Sequence, residues 1–303
     1  MHLILANPRG FCAGVKTAIS ALNTVIERYG TPVYVYHEIV HNTWVVSDFC
    51  RRGVVFVNAI DDVPAGSRLM FSAHGVSPEI RRTAAERNIE TVDATCPLVA
   101  KVHREVIRNA NEGRNIVLLG HRGHDEIIGI MSEAPEYIRI VETERDIETL
   151  TFEKDEPLVF LTQTTLSVSE TEQMLAKIRQ RYPNITGGKT DICYATQNRQ
   201  DAVRELSKDC DVVLVVGSRT SSNSRRLAEQ AENFGICSYL VDGPDDITAG
   251  WFCGNETVLI TAGASAPENV VQSCVAVLKE RFNAVVEEKT VRQENVVFRL
   301  PKL

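Results

Sequence analysis

Residues 92–102 read VDATCPLVAKV and change from a β-rich run to a helical pattern at a single cysteine. Pro97 suits the first position of a helix, because the N–H group that proline lacks would have no partner there. Cys96 therefore stands at the start of a helix, where the positive end of the helix dipole favours a thiolate. A thiolate can attack electrophiles or bind metals, and a buried structural cysteine is the alternative.

Two other cysteines occur in the same setting. Cys12 follows the run LILANPRGF and precedes the helical pattern AGVKTAISALNTVIERYG, and Cys193 follows TDI and precedes YATQNRQDAVRELSKD. Each cysteine closes an extended run and opens a helix. The spacings of 84 residues between Cys12 and Cys96 and 97 between Cys96 and Cys193 each correspond to about one small domain.

Polar loops follow the three cysteines at similar distances. The first loops contain His41, His124 and Ser222, which lie 29, 28 and 29 residues after Cys12, Cys96 and Cys193. The second loops contain His74, Thr164 and Ser265, at 62, 68 and 72 residues. Three parallel series of this kind indicate three units of similar design.

The rest of the chain predicts the fold class. Short β-rich runs alternate with amphipathic helical patterns almost throughout, which is typical of α/β architecture with mostly parallel sheets. We predict three α/β units, at 1–95, 96–190 and 191–278, and a tail at 279–303 that packs on the body through NVVF. In open parallel sheets, functional groups collect at the carboxyl ends of the strands. A pseudo-threefold arrangement of the units would bring the three cysteines together.

Composition excludes several classes of function. The 303 residues carry 33 Lys and Arg against 40 Asp and Glu, a net charge of −7, which disfavours binding to nucleic acid or to an anionic membrane surface. No run approaches the roughly 18 apolar residues of a membrane span, so we expect a cytoplasmic protein. The sequence has neither a Gly-x-x-x-x-Gly-Lys phosphate loop nor a Gly-x-Gly-x-x-Gly fingerprint, which argues against a bound nucleotide.

The cysteine pattern favours an iron-sulfur cluster over two other kinds of site. A structural zinc site usually includes a closely spaced pair of cysteines, whereas no two of the eight are closer than sixteen residues. A nucleophilic cysteine needs one thiol and a base. Three thiolates on a 4Fe-4S cluster would leave one iron open for substrate chemistry. We interpret the other five cysteines (50, 210, 237, 253 and 274) as packing residues.

The polar loops predict an anionic ligand, with a diphosphate as the best candidate. Loop histidines and hydroxyl groups at helix starts suit phosphate oxygens. As alternatives, Ser77, Ser167 and Ser265 could be simple helix caps, and Glu126 could be either a buried proton donor or an exposed loop residue. The candidate ligand-binding residues are His41, His74, His124, Thr164, Ser221, Ser222, Asn223 and Ser265.

The same motifs resemble those of the 4-hydroxy-3-methylbut-2-enyl diphosphate reductase family. The resemblance runs from residue 3 to ENVVF in the tail. It is carried by LANPRGFCAGV, HEIVHN, FSAHGVS, DATCPLVAKVH, GHRGHDE, TQTTLSV, DICYATQNRQ, GSRTSSNS and AGASAP. No position of these motifs departs from the family pattern.

The resemblance implies roles for individual residues. Cys12, Cys96 and Cys193 would bind a 4Fe-4S cluster at the centre of a three-unit α/β fold. Glu126 would be the proton source, Thr164 would lie near the substrate hydroxyl, and His124 would join them as a catalytic residue. The diphosphate would be bound by His41, His74, His124, Ser221, Ser222, Asn223 and Ser265.

The implied reaction is the reductive removal of an allylic hydroxyl group with two electrons and two protons, which yields isopentenyl and dimethylallyl diphosphates. The family takes its electrons from a flavodoxin or a ferredoxin, and we see no nicotinamide or flavin motif here. Two rival functions stay open on the residues alone. One is an aconitase-like iron-sulfur hydro-lyase acting on a small phosphorylated substrate, and the other is an iron-sulfur sensor without catalytic activity.

Overall fold

The fold alternates strands and helices, as the sequence predicts. The computed structural model describes residues 1–153, 155–187 and 191–302. The strands are β1 (His2–Asn7), β2 (Val33–Tyr36), β3 (Val54–Val57), β4 (Arg68–Phe71), β5 (Glu90–Asp93), β6 (Asn115–Leu119), β7 (Ile138–Val141), β8 (Leu158–Thr162), β9 (Val212–Val216), β10 (Cys237–Val241), β11 (Thr257–Ala262) and β12 (Val285–Thr290). The helices are α1 (Ala13–Tyr29), α2 (Thr43–Arg51), α3 (Pro78–Glu86), α4 (Pro97–Asn111), α5 (Asp125–Met131), α6 (Glu144–Thr149), α7 (Val168–Arg181), α8 (Tyr194–Leu206), α9 (Ser222–Asn233) and α10 (Glu268–Phe282).

These strands form three parallel sheets, which confirms the α/β class. Their orders are β10-β9-β11-β1-β12, β3-β2-β4-β5 and β7-β6-β8. Strands such as β8 and β9 are buried along their whole length, because helices that cover both faces of a parallel sheet favour continuous apolar runs. The described chain divides into unit 1 (Met1–Lys16, Val40–Arg51 and Tyr194–Val297) and unit 2 (Thr17–Ile39, Arg52–Cys193 and Phe298–Leu303).

The five-stranded sheet of unit 1 has a core on each face. Leu3 and Leu5 of β1 pack in a core that includes α10, and Ile4 and Ala6 pack in a second core with α8 and α9. This alternation follows from the two-residue period of a strand. Because β1, β9 and β11 are parallel, their carboxyl ends lie at the same end of this sheet, where the loops before α1, α9 and α10 begin.

Strand β1 belongs to the same sheet as β9–β11, although the boundaries at residues 95 and 190 assign it to the first of three segments. It pairs with β11 on one side and with β12 on the other. The three-segment division stays a prediction, and residue 190 lies outside the described residues. The tail contributes to the sheet through β12, whereas Val297 within NVVF is 88% exposed.

Unit 2 contains the two smaller sheets. In one, β2, β4 and β5 end next to each other, and in the other β6 lies between β7 and β8. Ser77 and Ser167 cap helices here, since their hydroxyl groups accept hydrogen bonds from the N–H groups of Ile80 and Glu170. Among the described residues, no helix is both long and apolar enough to cross a membrane.

Candidate active site

Cys12 lies in unit 1, between the carboxyl end of β1 and the first turn of α1. Its backbone N–H donates to the carbonyl of Ala264 at 3.0 Å, and its Sγ accepts a hydrogen bond from the N–H of Val15 at 3.5 Å. The thiol is half-buried and free. It therefore has the position at a helix start that the sequence predicts.

Ser265 follows β11, on the loop that also binds Cys12. Its hydroxyl donates to the backbone carbonyl of His41 at 2.9 Å, and the residue is 7% exposed. The neighbouring helix α10 begins later, with Pro267 as its N-cap. The helix-cap interpretation of Ser265 is therefore wrong. Ser265 instead ties the second polar loop of the third series to the first polar loop of the first series.

Three consecutive polar residues open helix α9. The hydroxyl of the N-cap residue Ser221 accepts a hydrogen bond from the N–H of Ser224, and Ser222 and Asn223 are 2% and 3% exposed. Neither the amide oxygen nor the amide nitrogen of Asn223 has a hydrogen-bond partner within the described chain. A buried amide without partners is costly, and its NH2 group at a helix start fits an anionic ligand whose oxygens would accept from it.

Two glycines allow the N-terminus of α9 to lie close to neighbouring strands. A Cβ atom on Gly217, after β9, or on Gly263, after β11, would collide with the hydroxyl of Ser224. These glycines therefore permit the close approach of the loops that carry Ser221 and Ser265.

In unit 2, Cys96 is the N-cap of α4, as the sequence predicts. Its N–H donates to the carbonyl of Ala73 at 3.0 Å, so its loop is bound to the loop that carries His74. The rings of His74 and His124 meet edge to face, with their centroids 6.0 Å apart. The predicted first and second loops of two different series are therefore neighbours in this unit.

His124 caps helix α5 and carries a defined ring orientation. Its Nδ1 accepts a hydrogen bond from the N–H of Glu126 at 3.2 Å. Because an accepting Nδ1 is unprotonated, the neutral ring carries its proton on Nε2. The side chain thus fits a donor to a phosphate oxygen.

Glu126 is buried rather than an exposed loop residue, and it is the second residue of α5. It is only 1% exposed, and its Oε1 accepts the N–H of Thr164 at 2.7 Å. The hydroxyl of Thr164 donates to Oε2 at 2.9 Å. The carbonyl of Thr164 in turn accepts the N–H of Cys193 at 3.0 Å. The carboxyl group of Glu126 and the backbone of Cys193 are thereby connected through Thr164.

Of the five remaining cysteines, two are buried or partly buried and three are exposed. Burial raises the pKa of Cys274 to about 12, and it raises that of the partly buried Cys210 to about 11. These two thiols are therefore protonated at neutral pH. Cys50, Cys237 and Cys253 are exposed, so the packing interpretation is wrong for these three.

Some residues near the site carry no cysteine-related spacing, and the sequence reasoning missed them. Gln163 is fully buried, and its side chain binds the N–H of His121 and the hydroxyl of Thr165 at 3.0 and 2.9 Å. His37 pairs with Asp125 at 2.7 Å. Both residues lie within the motifs TQTTLSV and HEIVHN, which were the only signal available.

The three cysteines suit a metal cluster by their chemistry. None of the three forms a disulfide, all are partly exposed, and each directly precedes the first residue of a helix. Thiolates are the usual ligands of iron-sulfur clusters. Within unit 1 the structure brings together Cys12, Ser265 and His41, and within unit 2 it brings together His74 with His124 and Glu126 with Thr164 and Cys193.

Comparison with known proteins places the chain in a family. The family model described as LytB protein matches residues 3–279. The chain belongs to the LytB family. A LytB relative from Rhodopirellula baltica, named 4-hydroxy-3-methylbut-2-enyl diphosphate reductase, is 55% identical over 303 residues, which are 100% of this chain and 95% of the relative. A relative of the same name from Azotobacter vinelandii is 50% identical over 307 residues, with 100% and 98% covered.

Solved structures agree with the LytB assignment. The E-1-hydroxy-2-methyl-but-2-enyl-4-diphosphate reductase of Plasmodium falciparum is 37% identical with a TM-score of 0.95, over 99% of this chain and 95% of that one. A structure of (E)-4-hydroxy-3-methyl-but-2-enyl diphosphate reductase, titled the terminal enzyme of the non-mevalonate pathway, is 29% identical. Its TM-score is 0.66, over 92% of this chain and all of that one. The family resemblance seen in the sequence motifs is confirmed.

Proposed function

We propose that this chain catalyses the reductive dehydroxylation of (E)-4-hydroxy-3-methylbut-2-enyl diphosphate to isopentenyl and dimethylallyl diphosphates. The observation that carries the proposal is the buried carboxyl group of Glu126, which is bound to Thr164 beside the backbone of Cys193. This arrangement couples a proton source to a candidate metal ligand. The names of the full-length relatives support the same reaction.

The proposed cofactor is a 4Fe-4S cluster bound by Cys12, Cys96 and Cys193. When bound, such a cluster supplies electrons one at a time and a Lewis-acidic iron that no cysteine occupies. The three helix starts that follow the cysteines would offset its negative charge. We also propose that the electrons come from a flavodoxin or ferredoxin, which would be a separate protein.

The diphosphate is assigned to donor groups from five loops. The unpartnered NH2 group of Asn223 would donate to a phosphate oxygen, and so would the protonated Nε2 of His124. The complete proposed set is His41, His74, His124, Ser221, Ser222, Asn223 and Ser265. These groups fix the orientation of the substrate, because each donates or accepts in a defined direction.

The contacts of Glu126 also define where its proton is held. A backbone N–H can only donate, so Oε1, which accepts from Thr164, is the unprotonated oxygen. We propose that Glu126 holds its proton on Oε2 during the reaction; the hydroxyl of Thr164, which donates to Oε2 in the structure, would then accept from it. Oε2–H can donate to this hydroxyl while the hydroxyl hydrogen turns toward the substrate oxygen. Protonation makes that oxygen a better leaving group, so that the C–O bond breaks and water departs. The allylic carbons take up two electrons, which come from the separate donor protein in this proposal, and a second proton at either end of the allyl group gives the two products.

The residues of the proposed proton route are buried away from bulk water. Glu126, Gln163 and Thr164 are 1%, 0% and 4% exposed. A site closed to water limits the loss of a proton to solvent, which supports the proposed role of Glu126.

An anaerobic assay with a reduced viologen dye tests the proposal. The purified protein should oxidise the dye only when the allylic diphosphate is added, and the cluster absorbance should change on substrate addition. An aconitase-like hydro-lyase would change the substrate without oxidising the dye, and a sensor would leave both unchanged. Either of those results would contradict the proposed reaction.

A further inference from the structure

Helix α8 contacts the Cys12 loop on both sides of the cysteine. The hydroxyl of Tyr194, the first residue of α8, accepts the N–H of Ala13 at 3.2 Å. The guanidinium of Arg199, one turn further along, donates to the carbonyl of Gly10 at 2.6 Å. Cys12 is thus held between two hydrogen bonds that come from the same helix.

Arg199 is held by contacts with Gly10, Ala195 and Glu294. It is 0% exposed, its Nη1 donates to the carbonyl of Ala195 at 2.8 Å, and it pairs with Glu294 at 3.0 Å. A buried guanidinium without a counter-ion is strongly unfavourable, so Glu294 is required for Arg199 to reach Gly10. Gly10 itself has a φ of +64°, a conformation that side-chain-bearing residues rarely adopt.

Glu294 belongs to the C-terminal segment that follows β12. Its Oε1 also accepts the side-chain N–H of Asn198, on α8, at 3.0 Å. Its side chain is 15% exposed, whereas Val297, three residues on, is 88% exposed. Glu294 of ENVVF, rather than its valines, therefore anchors this segment to α8.

We infer that Tyr194, Arg199 and Glu294 are positioning residues that hold Cys12 in place for the cluster. The inference rests on the proposed function and extends it to residues that contact neither cluster nor substrate in that proposal. Helix α8 starts directly after Cys193, so one helix both follows one cysteine ligand and fixes the loop of another. Groups that orient metal ligands usually contribute to metal affinity without binding the metal.

Hydrogen exchange in the purified full-length protein tests the positioning directly. In Tyr194→Phe the amide of Ala13 loses its acceptor, so we expect it to exchange about tenfold faster. Arg199→Lys keeps the charge, but a single ammonium cannot replace the planar group that spans Gly10, Ala195 and Glu294. We therefore expect faster exchange in the peptide that covers residues 8–16. Glu294→Gln should show the same change, and because it does not replace the arginine itself, it serves as a second variant if Arg199→Lys folds poorly.

A second measurement connects this loosening to the metal. Iron removal by a chelator under anaerobic conditions should be about tenfold faster in the three variants than in the unchanged protein. Matched controls are Tyr182→Phe, which removes a buried hydroxyl bound to Leu150, and Arg204→Lys on the exposed side of α8. Glu287→Gln removes an exposed carboxylate of β12.

The results separate this inference from the proposed function. If the unchanged protein binds iron and the three variants behave like their controls in either measurement, the positioning role is wrong while the proposed function stands. If the unchanged protein contains no iron, the proposed function fails. In that case, faster exchange confined to residues 8–16 would still show that α8 holds the loop, and unchanged exchange would overturn that as well.

Discussion

The carboxyl group of Glu126 accepts hydrogen bonds from both the backbone N–H and the hydroxyl of Thr164, at 2.7 and 2.9 Å. The two residues are 38 positions apart in the chain. They meet because β6 and β8 are adjacent parallel strands, with Leu119 opposite Thr162, so that the loops after them begin side by side. This pairing gives each oxygen of the buried carboxyl group a hydrogen-bond donor from the same residue.

Replacing the proton donor should stop the reaction without disturbing the site. Glu126→Gln keeps the size and an acceptor oxygen for the N–H of Thr164, but its amide cannot deliver a proton. We expect kcat to fall by about a hundredfold or more, with iron content and substrate affinity retained. Steady-state kinetics, iron analysis and equilibrium binding measure the three quantities. Glu136→Gln, an exposed change beyond α5, serves as the control, and near-normal turnover in Glu126→Gln would dismiss this residue as the acid.

The hydroxyl of Thr164 should matter separately from its backbone. Thr164→Val is nearly isosteric and keeps the N–H bond to Oε1, so Glu126 stays in place while the route from Oε2 is interrupted. We expect kcat to fall about tenfold or more. Thr164→Ser restores the hydroxyl and should recover most of the activity. Equal activity in the valine and serine variants would show that the proton does not pass through this oxygen.

The unpartnered amide of Asn223 should bind the diphosphate. Asn223→Asp has nearly the same shape, but its charge would repel an anion and its oxygens cannot donate. We expect KM for the allylic diphosphate to rise about tenfold to a hundredfold, with a smaller change in kcat. Asn233→Asp, at the other end of α9, is the control. A KM equal to that of the unchanged protein would remove Asn223 from the proposed binding set.

Cysteine substitutions should separate ligands from bystanders. Cys12→Ser, Cys96→Ser and Cys193→Ser should each lose the brown absorbance and most of the iron, because serine is a poor ligand for such clusters. Cys50→Ser and Cys274→Ala should keep both, since Cys50 is exposed and Cys274 lies in the core beside α10. Visible spectra and iron analysis after anaerobic purification provide the test. Similar losses in all five variants would refute the assignment of the ligands.

The buried strands could be predicted from their apolar runs. The edge strand β12 and the end of strand β2 were harder to predict. Strand β12 contains Glu287, Glu288 and Lys289 and is half exposed, as is common at a sheet edge, so its sequence resembles a polar loop. Strand β2 ends at Tyr36, although the apolar pattern continues, because His37 adopts a positive φ of +57°. Neither feature has a hydrophobic signal.

The positions of the site residues followed from the repeated cysteine pattern, but their contacts did not. Sequence spacing placed His41 and Ser265 in separate loops. Only the folded structure shows that the hydroxyl of Ser265 donates to the backbone carbonyl of His41. The burial of Glu126 likewise depends on the neighbouring β8 loop, which no local pattern reports. Nothing in the sequence reports the contacts of Arg199, since its partners Gly10 and Glu294 are 189 and 95 residues away.

Acid should weaken the structure in part through Asp146, which caps α6. Burial opposes its ionisation, but the N–H groups of Thr143 and Glu142 and the guanidinium of Arg122 outweigh this and lower its pKa from 3.8 to about 2. A carboxyl group whose pKa is lower in the folded state stabilises that state above its unfolded pKa. This contribution disappears as the pH falls through the folded pKa.

Asp146→Asn should therefore lower the urea midpoint of unfolding at pH 7, and the difference from the unchanged protein should shrink between about pH 4 and pH 2. Circular dichroism during urea titration at several pH values measures it. Glu148→Gln changes an exposed carboxylate on the same helix and should show no comparable difference at pH 7. Loss of the carboxylate charge has no effect once Asp146 is itself protonated. A difference in urea midpoint that stayed constant down to pH 2 would therefore mean that the asparagine acts by disturbing the helix cap.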